Sequence, residues 1–173
     1  MTLPHLVIAP DPRLRRKTPL VGKVDSRIAK LMDEMLTVMY PGNGIGLAAP
    51  QIGVLESVIV MDTGEKRDGT EAIYLADPEI VWKSEETMVY REGCLSLPDI
   101  WIEITRPEKI RVSYLDQHNK SREIEAKGLE AICLQHEIDH LHGVLFVDYV
   151  SQLKREMILR RLDKAKKHGR IET

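Results

Sequence analysis

The chain has 173 residues, of which 43% are hydrophobic and 30% charged, and its formal net charge is −2. This composition predicts one globular domain over residues 1–173, and the near-neutral charge predicts no DNA partner. No apolar run reaches the length of a transmembrane helix and the start lacks the pattern of a secretory signal, so we expect a cytoplasmic protein without membrane contact.

The first 24 residues contain several prolines and basic residues and predict an extended lead-in. Asp25 then suits the N-cap of a helix, because the apolar residues after it recur at helical spacing. These residues form one face: Ile28, Leu31, Met32, Met35, Leu36 and Met39. Pro41-Gly42 ends the helix. The glycine-rich stretch GNGIGLAAPQIG, residues 42–53, predicts a loop or irregular strand.

The middle of the chain contains six β-like runs, which read SVIVM, AIYLA, EIVW, TMVY, IWIEI and KIRVSYLD. DQHNK predicts a hairpin turn into SREIEA. Gly128 precedes a second helix, LEAICLQHEIDHLH, with Gly143 as its C-terminal cap, and a third helix covers residues 151–168. The order predicts an α+β fold in which mostly antiparallel strands pack around a central metal-ligand helix, with an N-terminal and a C-terminal helix.

The second helix carries the pattern H-E-x-x-H. His136 and His140 are four residues apart, so both imidazoles lie on one face and can share one metal ion. Glu137 lies on the adjacent flank, within reach of a ligand of that ion. A pair of surface histidines is the plainer interpretation, but the surrounding apolar residues indicate a buried helix, and buried histidines need partners.

A third metal ligand must come from elsewhere in the chain. Glu156 would suit a zinc endopeptidase, although it lies among basic residues and a solvated helix face explains it more simply. The position that would complete a three-histidine pattern is Phe146, and His142 points away from the shared face. Cys133 lies in an apolar stretch and suits a small core residue. We favour Cys94, in REGCLSLP, because the flanking glycine and proline allow a bend that presents the thiolate.

Three segments together resemble the signature motifs of the peptide deformylases: GIGLAAPQ (residues 44–51), EGCLS (92–96) and HEIDH (136–140). Their order and separation match that family, and the resemblance covers nearly the whole chain. It implies a metal-dependent hydrolase that removes the formyl group from the formyl-methionine of newly made proteins. The implied metal is Fe²⁺, with Zn²⁺, Ni²⁺ or Co²⁺ able to occupy the site.

The resemblance also implies roles for individual residues. Cys94, His136 and His140 become the metal ligands, and metal-bound water attacks with Glu137 as general base and acid. The side-chain amide of Gln51 and the backbone N–H of Leu95 stabilise the oxyanion. Glycines without side chains let backbone approach a bound peptide. The implied substrate-binding residues are Gly44, Ile45, Gly46, Tyr90, Gly93, Leu129, Ile132 and Cys133.

Charged residues near these motifs suggest a supporting layer. Arg106 and Asp139 are expected to form an ion pair beneath the ligand helix, and Glu92 to orient a metal ligand. A non-catalytic, metal-stabilised module that binds peptide ends is the alternative to an enzyme.

The C-terminal segment is basic. Residues 154–170 contain eight Lys or Arg and two acidic residues, a net charge of +6 against −8 for the remainder. We expect a buried stripe of Leu153, Met157, Leu162 and Ala165, and a basic face that either only aids solubility or contacts the ribosome through its RNA.

Overall fold

This computed structural model of the protein describes residues 5–171. Residues 1–4, which belong to the predicted lead-in and to the stretch inspected for a secretory signal, lie outside the described residues. The lead-in is extended except at Pro12–Arg15, which form a 3₁₀ helix. Asp11 caps this turn, because its carboxylate accepts a hydrogen bond from the backbone N–H of Arg13 at 2.9 Å.

Helix α1 spans Ser26–Met39. The Asp25 carboxylate accepts a hydrogen bond from the backbone N–H of Ile28 at 3.0 Å, which confirms the predicted cap. All six residues of the predicted apolar face are buried. A 3₁₀ turn at Tyr40–Gly42 follows and ends the helix at the predicted place.

Between residues 5 and 171, seven strands form two antiparallel sheets. The strands are β1 (Gly46–Ala48), β2 (Val58–Met61), β3 (Ile73–Lys83), β4 (Thr87–Cys94), β5 (Leu97–Pro107), β6 (Lys109–Leu115) and β7 (Ser121–Lys127). One sheet has the order β1-β2-β3-β6-β7, and β4 pairs with β5 in the other. The glycine-rich stretch therefore supplies β1, a short edge strand, and then a 3₁₀ helix at Ala49–Ile52.

Two of the predicted strands form one continuous strand in the structure. AIYLA and EIVW both lie in β3, whose register with β6 shifts between Ala76 and Glu79. Pro78 has no N–H to donate, and Asp77 adopts a positive φ of 49° there. The Asp77 carboxylate accepts hydrogen bonds from the backbone N–H groups of Val21 and Gly22, both at 2.8 Å, which stabilise the bulge.

Helix α2 (Leu129–Leu141) lies at the centre of the fold and contacts β1, β2, β5 and β7. Its residues from Ala131 to Leu141 are buried except Asp139. Gly143 follows it with φ +73°, and a Cβ there would lie 2.3 Å from the Arg15 carbonyl oxygen. Only glycine meets both requirements, so the predicted helix end is confirmed. The antiparallel strands packed around this helix confirm the predicted α+β fold.

Helix α3 spans Gln152–Lys167 with Ser151 as its N-cap. The predicted buried stripe is wrong for Leu153 and Met157, which are 70% and 63% exposed. The prediction is confirmed for Leu162, which is buried, and Ala165 is half-buried. Ile158 and Leu159, which lie outside the predicted stripe, pack beside Leu162. The sequence offers two apolar stripes, and the tertiary contact selects the one that meets the lead-in and β5. Within residues 5–171, no helix is both long and apolar enough to cross a bilayer.

Candidate metal centre and active site

Three side chains from two distant parts of the chain meet beside α2. Cys94 ends β4, and His136 and His140 lie one turn apart on α2. Their sulfur and nitrogen donor atoms all lie within 4.8 Å of one another. The Cys94 Sγ and His140 Nε2 are 3.3 Å apart. The Cys94 and Cys133 thiols are both free. Of the three candidate ligands, the structure thus brings Cys94 to the histidines.

The other two candidates lie elsewhere. Glu156 is exposed on α3, where its Oε1 accepts a hydrogen bond from Gln152. Cys133 is buried in the core, with its Sγ 3.6 Å from the Ile45 carbonyl oxygen. His142, which the helical spacing had already excluded as a ligand, donates a hydrogen bond from its Nδ1 to the Ile138 carbonyl oxygen, 2.9 Å away.

The electrostatics of this cluster fit a cation. Burial lowers the pKa of His140 well below its ordinary value and keeps the imidazole neutral, the form that binds metal. Burial also opposes charge on His136, but hydrogen bonds to Cys94 and Glu92 outweigh it and raise the pKa well above its ordinary value. A metal cation shared by the three donors would replace this proton on His136 and would be stabilised by the same groups, Cys94 and Glu92. One sulfur and two nitrogens form a donor set typical of zinc and first-row transition metals.

Glu137 lies next to this cluster. Its side chain is buried, and in the described part of the chain its Oε2 has no hydrogen-bond partner. Burial raises the pKa of Glu137 to about 7. A carboxyl group with such a pKa accepts and releases a proton near neutral pH, which is the requirement for a general base and acid.

Gln51 is held between the sulfur and the backbone. Its Oε1 accepts a hydrogen bond from the Ala48 N–H at 2.9 Å, which turns the Nε2 toward Cys94 Sγ at 3.6 Å and Ser96 Oγ at 3.2 Å. This contact with the backbone of Ala48 is therefore what aims the amide. Leu95 follows Cys94 in the tight connection between β4 and β5.

A buried ionic network supports the ligand helix. The His136 Nδ1 and Glu92 Oε2 are 2.8 Å apart, and Glu92 also accepts from Arg106 at 3.0 Å. Arg106 donates to Asp139 at 2.9 Å. Tyr149, which the sequence analysis missed, donates to Asp139 at 2.8 Å and stacks under Arg106. The signal for this network is in the sequence: Arg106 stands on the apolar side of the alternating run from Ile102, where a charge needs partners.

A cavity of about 580 Å³ opens beside Glu137. All eight residues implied for substrate binding line it: Gly44, Ile45, Gly46, Tyr90, Gly93, Leu129, Ile132 and Cys133. It is also lined by Gln51, Cys94 and Leu95. His140 does not line it and lies below the surface of the cavity, 1% exposed. Asn43, Arg91 and Trp101 line it too, and the sequence analysis assigned them no contact.

The wall beside Glu137 is tight because of Gly46. A Cβ at this position would lie 2.7 Å from Glu137 Oε1 and 2.6 Å from Cys133 Sγ. Both side chains are buried, so a larger residue at this position would displace Glu137 or Cys133. Gly46 begins β1, the edge strand of the larger sheet, and its backbone is therefore open to pairing with an extended chain.

The α+β fold, the H-E-x-x-H helix beneath a cavity and the converging sulfur and imidazole donors are together typical of a metal-dependent hydrolase.

Comparisons with known proteins narrow this class. A family model described as "Polypeptide deformylase" matches residues 3–156. The chain is 54% identical over 170 residues to a peptide deformylase of Methylocella silvestris, covering 96% of this chain and 87% of the relative. It resembles the crystal structure of a peptide deformylase from Ehrlichia chaffeensis with a TM-score of 0.91 and 37% identity, covering 98% and 100% of the two chains. A structure from the same organism in complex with actinonin gives 0.89 and 40%, covering 95% and 98%. The chain belongs to the polypeptide deformylase family.

Proposed function

We propose that this hydrolase removes the N-formyl group from the formyl-methionine of newly made proteins, as one catalytic domain over residues 1–173 in the cytoplasm. The observation that carries the proposal is the meeting of Cys94, His136 and His140 beside the buried Glu137, at a cavity with room for a peptide end. The membership of the deformylase family supports the same substrate class.

Glu137 acts as the proton carrier of the reaction. Its buried carboxylate takes a proton from the attacking water and passes it to the leaving amine, and its raised pKa suits both transfers. Gly46 leaves free the space that a Cβ would take from the carboxylate, and Glu137 lines the cavity.

Cys94, His136 and His140 hold the metal, which we propose is Fe²⁺, with Zn²⁺, Ni²⁺ or Co²⁺ able to replace it. When bound, a divalent ion polarises a carbonyl group and lowers the pKa of water from about 15.7 toward 7. The affinity of iron(II) for such donors is below that of cobalt, nickel and zinc. Glu92 orients His136 through their hydrogen bond, and the Arg106–Asp139 pair holds Glu92 in place.

Gln51 and Leu95 stabilise the negative oxygen of the tetrahedral intermediate. The Gln51 Nε2 is fixed by the hydrogen bond that its own Oε1 accepts from the Ala48 N–H. The second donor is the backbone N–H of Leu95, the residue after the proposed ligand Cys94. Loss of one such donor typically raises the barrier by about 3 kcal/mol.

The methionine side chain occupies the apolar part of the cavity. Ile45, Leu129, Ile132 and Cys133 form its walls, with Tyr90 at the edge. The backbone at Gly44, Gly46 and Gly93 pairs with the extended substrate chain, because these residues put no side chain in its way.

Hydrolysis of formyl-Met-Ala-Ser under anaerobic conditions tests the function. We expect release of formate by the iron-loaded protein, and a lower turnover by the zinc-loaded protein. The apo-protein prepared with a chelator is the control and should be inactive. Absence of formate release from every metal-loaded form contradicts the proposed function, whereas equal turnover with iron and zinc contradicts only the preference for iron.

The alternatives receive less support from the structure. A zinc endopeptidase needs a carboxylate as third ligand, but Glu156 is exposed and bonded to Gln152, and the cluster found within residues 5–171 uses Cys94 instead. A purely binding module does not need a buried carboxylate with a pKa near 7 beside the metal donors.

We also propose that α3 contacts ribosomal RNA near the point where new chains emerge. Its exposed side carries Arg160, Arg161 and Lys164, beside the exposed Leu153 and Met157. Lysine and arginine that neutralise RNA phosphates make such binding strongly dependent on salt.

Replacement of these three basic residues by glutamine is expected to weaken co-sedimentation with ribosomes and to flatten its salt dependence, because about one fewer counterion is released on binding for each residue lost. This variant keeps Leu162, which is buried in the core and would be lost by truncation after Val150. A matched control replaces Lys83 and Lys109, on β3 and β6, in the same way. Equal co-sedimentation of the variant, the control and the wild type would contradict the proposed contact between α3 and the ribosome.

A further inference from the structure

Trp101 is an exposed aromatic residue at the mouth of the cavity. It lines the cavity together with Cys94 and Glu137, yet it is 60% exposed. Exposed tryptophan is costly because a large apolar surface stays in water, and aromatic side chains at such positions are typical of binding sites. The alternation of β5 makes Trp101 stand out, because it lies on the open side of the strand while Ile102 and Ile104 are buried.

The position of the ring is fixed by the neighbouring strand. Trp101 is the register partner of Gly93 in the β4–β5 pair. A Cβ on Gly93 would lie 2.7 Å from Cζ3 and 2.9 Å from Cε3 of the ring, so the indole packs directly against the glycine backbone. The guanidinium of Arg91 lies 5.8 Å from the ring centroid on the same strand pair. Gly93 is therefore required for the orientation of Trp101.

This orientation relates the ring to the reacting end of a substrate. Gly93 is adjacent to Cys94 in the chain, about 3.8 Å between Cα atoms. An extended peptide advances about 3.3 Å per residue, so residues that follow the methionine pass within reach of a ring packed on Gly93. The ring offers them a broad apolar surface with only two side-chain torsions to restrict, which keeps the entropic cost of binding low.

We propose that Trp101 is a specificity-determining residue that contacts the second or third residue of the substrate and favours a large apolar or aromatic side chain there. The inference rests on the proposed function, since it concerns the chain that leaves the same site. It adds a preference beyond methionine that the metal donors and Glu137 do not provide.

The test compares three peptides, formyl-Met-Phe-Ala, formyl-Met-Ala-Phe and formyl-Met-Ala-Ala, as substrates of the wild type and of Trp101→Ala. We expect the wild type to have a higher kcat/KM for at least one of the two phenylalanine peptides, by about two- to tenfold, the range of an aromatic contact. Trp101→Ala should remove this preference through KM with kcat unchanged, and Trp101→Phe should retain most of it.

Trp82→Ala is the matched control. Trp82 is also exposed, at 43%, and also lies near an arginine, with the Arg111 guanidinium 5.7 Å from its ring, but it does not line the cavity. This variant should keep the wild-type preference.

The possible results distinguish a failure of the proposed role of Trp101 from a failure of the proposed deformylase function. If the wild type hydrolyses all three peptides but Trp101→Ala keeps the same ratios, or loses activity equally on all three, the role of Trp101 is wrong and the function stands. If the wild type hydrolyses none of them, the proposed function fails and the inference fails with it.

Discussion

Replacement of Glu137 by alanine is expected to abolish deformylation and to leave the metal bound. The carboxylate is the proton carrier in the proposed reaction, and loss of a general base or acid typically lowers kcat by about 10²–10⁴-fold. The proposed metal donors are Cys94, His136 and His140, so removal of Glu137 takes none of them away. Formate release from formyl-Met-Ala-Ser and the metal content of the purified variant are the two measurements.

Two further variants make this prediction specific. Glu137→Gln keeps the size of the side chain and its packing against Gly46. The glutamine amide neither accepts nor releases a proton near neutral pH, so the loss of kcat should be similar. Glu130→Gln is the matched control, because Glu130 is a partly buried carboxyl group on the same helix, and burial raises its pKa as well, but it does not line the cavity. A Glu137→Gln variant with at least a tenth of the wild-type kcat would contradict the assignment.

Replacement of Cys94 by serine is expected to remove both the metal and the activity. A thiolate is a strong ligand for these ions, whereas a serine hydroxyl keeps its proton at neutral pH and binds them weakly. The two remaining imidazoles do not complete a site, which ordinarily needs three protein ligands. Metal analysis after dialysis measures the effect, and circular dichroism establishes whether the variant is folded.

The choice of control separates the competing interpretations. Cys133→Ser changes the other thiol, which is buried in the core and lies outside the donor cluster, so this variant should keep its metal. Glu156→Gln tests the endopeptidase alternative directly and should also keep its metal. If Cys94→Ser retains metal and Glu156→Gln loses it, the deformylase site is wrong and the endopeptidase alternative is correct.

A buried ionic network lies under α2 and connects Arg106 to the proposed ligand His136 through Glu92. Arg106 and Glu92 are both buried, and each has a charged partner and at least one further hydrogen bond. Burial alone would disfavour both charges, but their mutual contacts outweigh it, which raises the pKa of Arg106 above its ordinary range and lowers that of Glu92. Such a network is costly to disrupt, because removal of one member leaves a buried charge without its partner.

Local features were predictable from the sequence for a simple reason. The cap at Asp25, the helix end at Gly143 and the common face of His136 and His140 each depend on residues within four positions of one another. Backbone geometry and helical periodicity over such short distances are the same in every fold. The identity of the metal donors followed from motif order, and the structure brings those three side chains together.

Features that depend on contacts between distant residues were less predictable. The sequence contained two apolar stripes on α3, and it did not indicate that Ile158 and Leu159 would pack beside Leu162 while Leu153 and Met157 remain exposed. It also did not show that β3 continues through a bulge, because the partners of Asp77 are more than 50 residues away.

The sequence by itself determined the helices, most strands, the H-E-x-x-H face and the family motifs, because each is written in neighbouring residues. Only the tertiary structure decided how Gln51 is aimed, how Glu92 and Tyr149 join the pair of Arg106 and Asp139, and where Trp101 lies at the cavity. These depend on strand register and on the packing of segments far apart in the chain, where a shift of one residue moves every side chain to the opposite face of a strand.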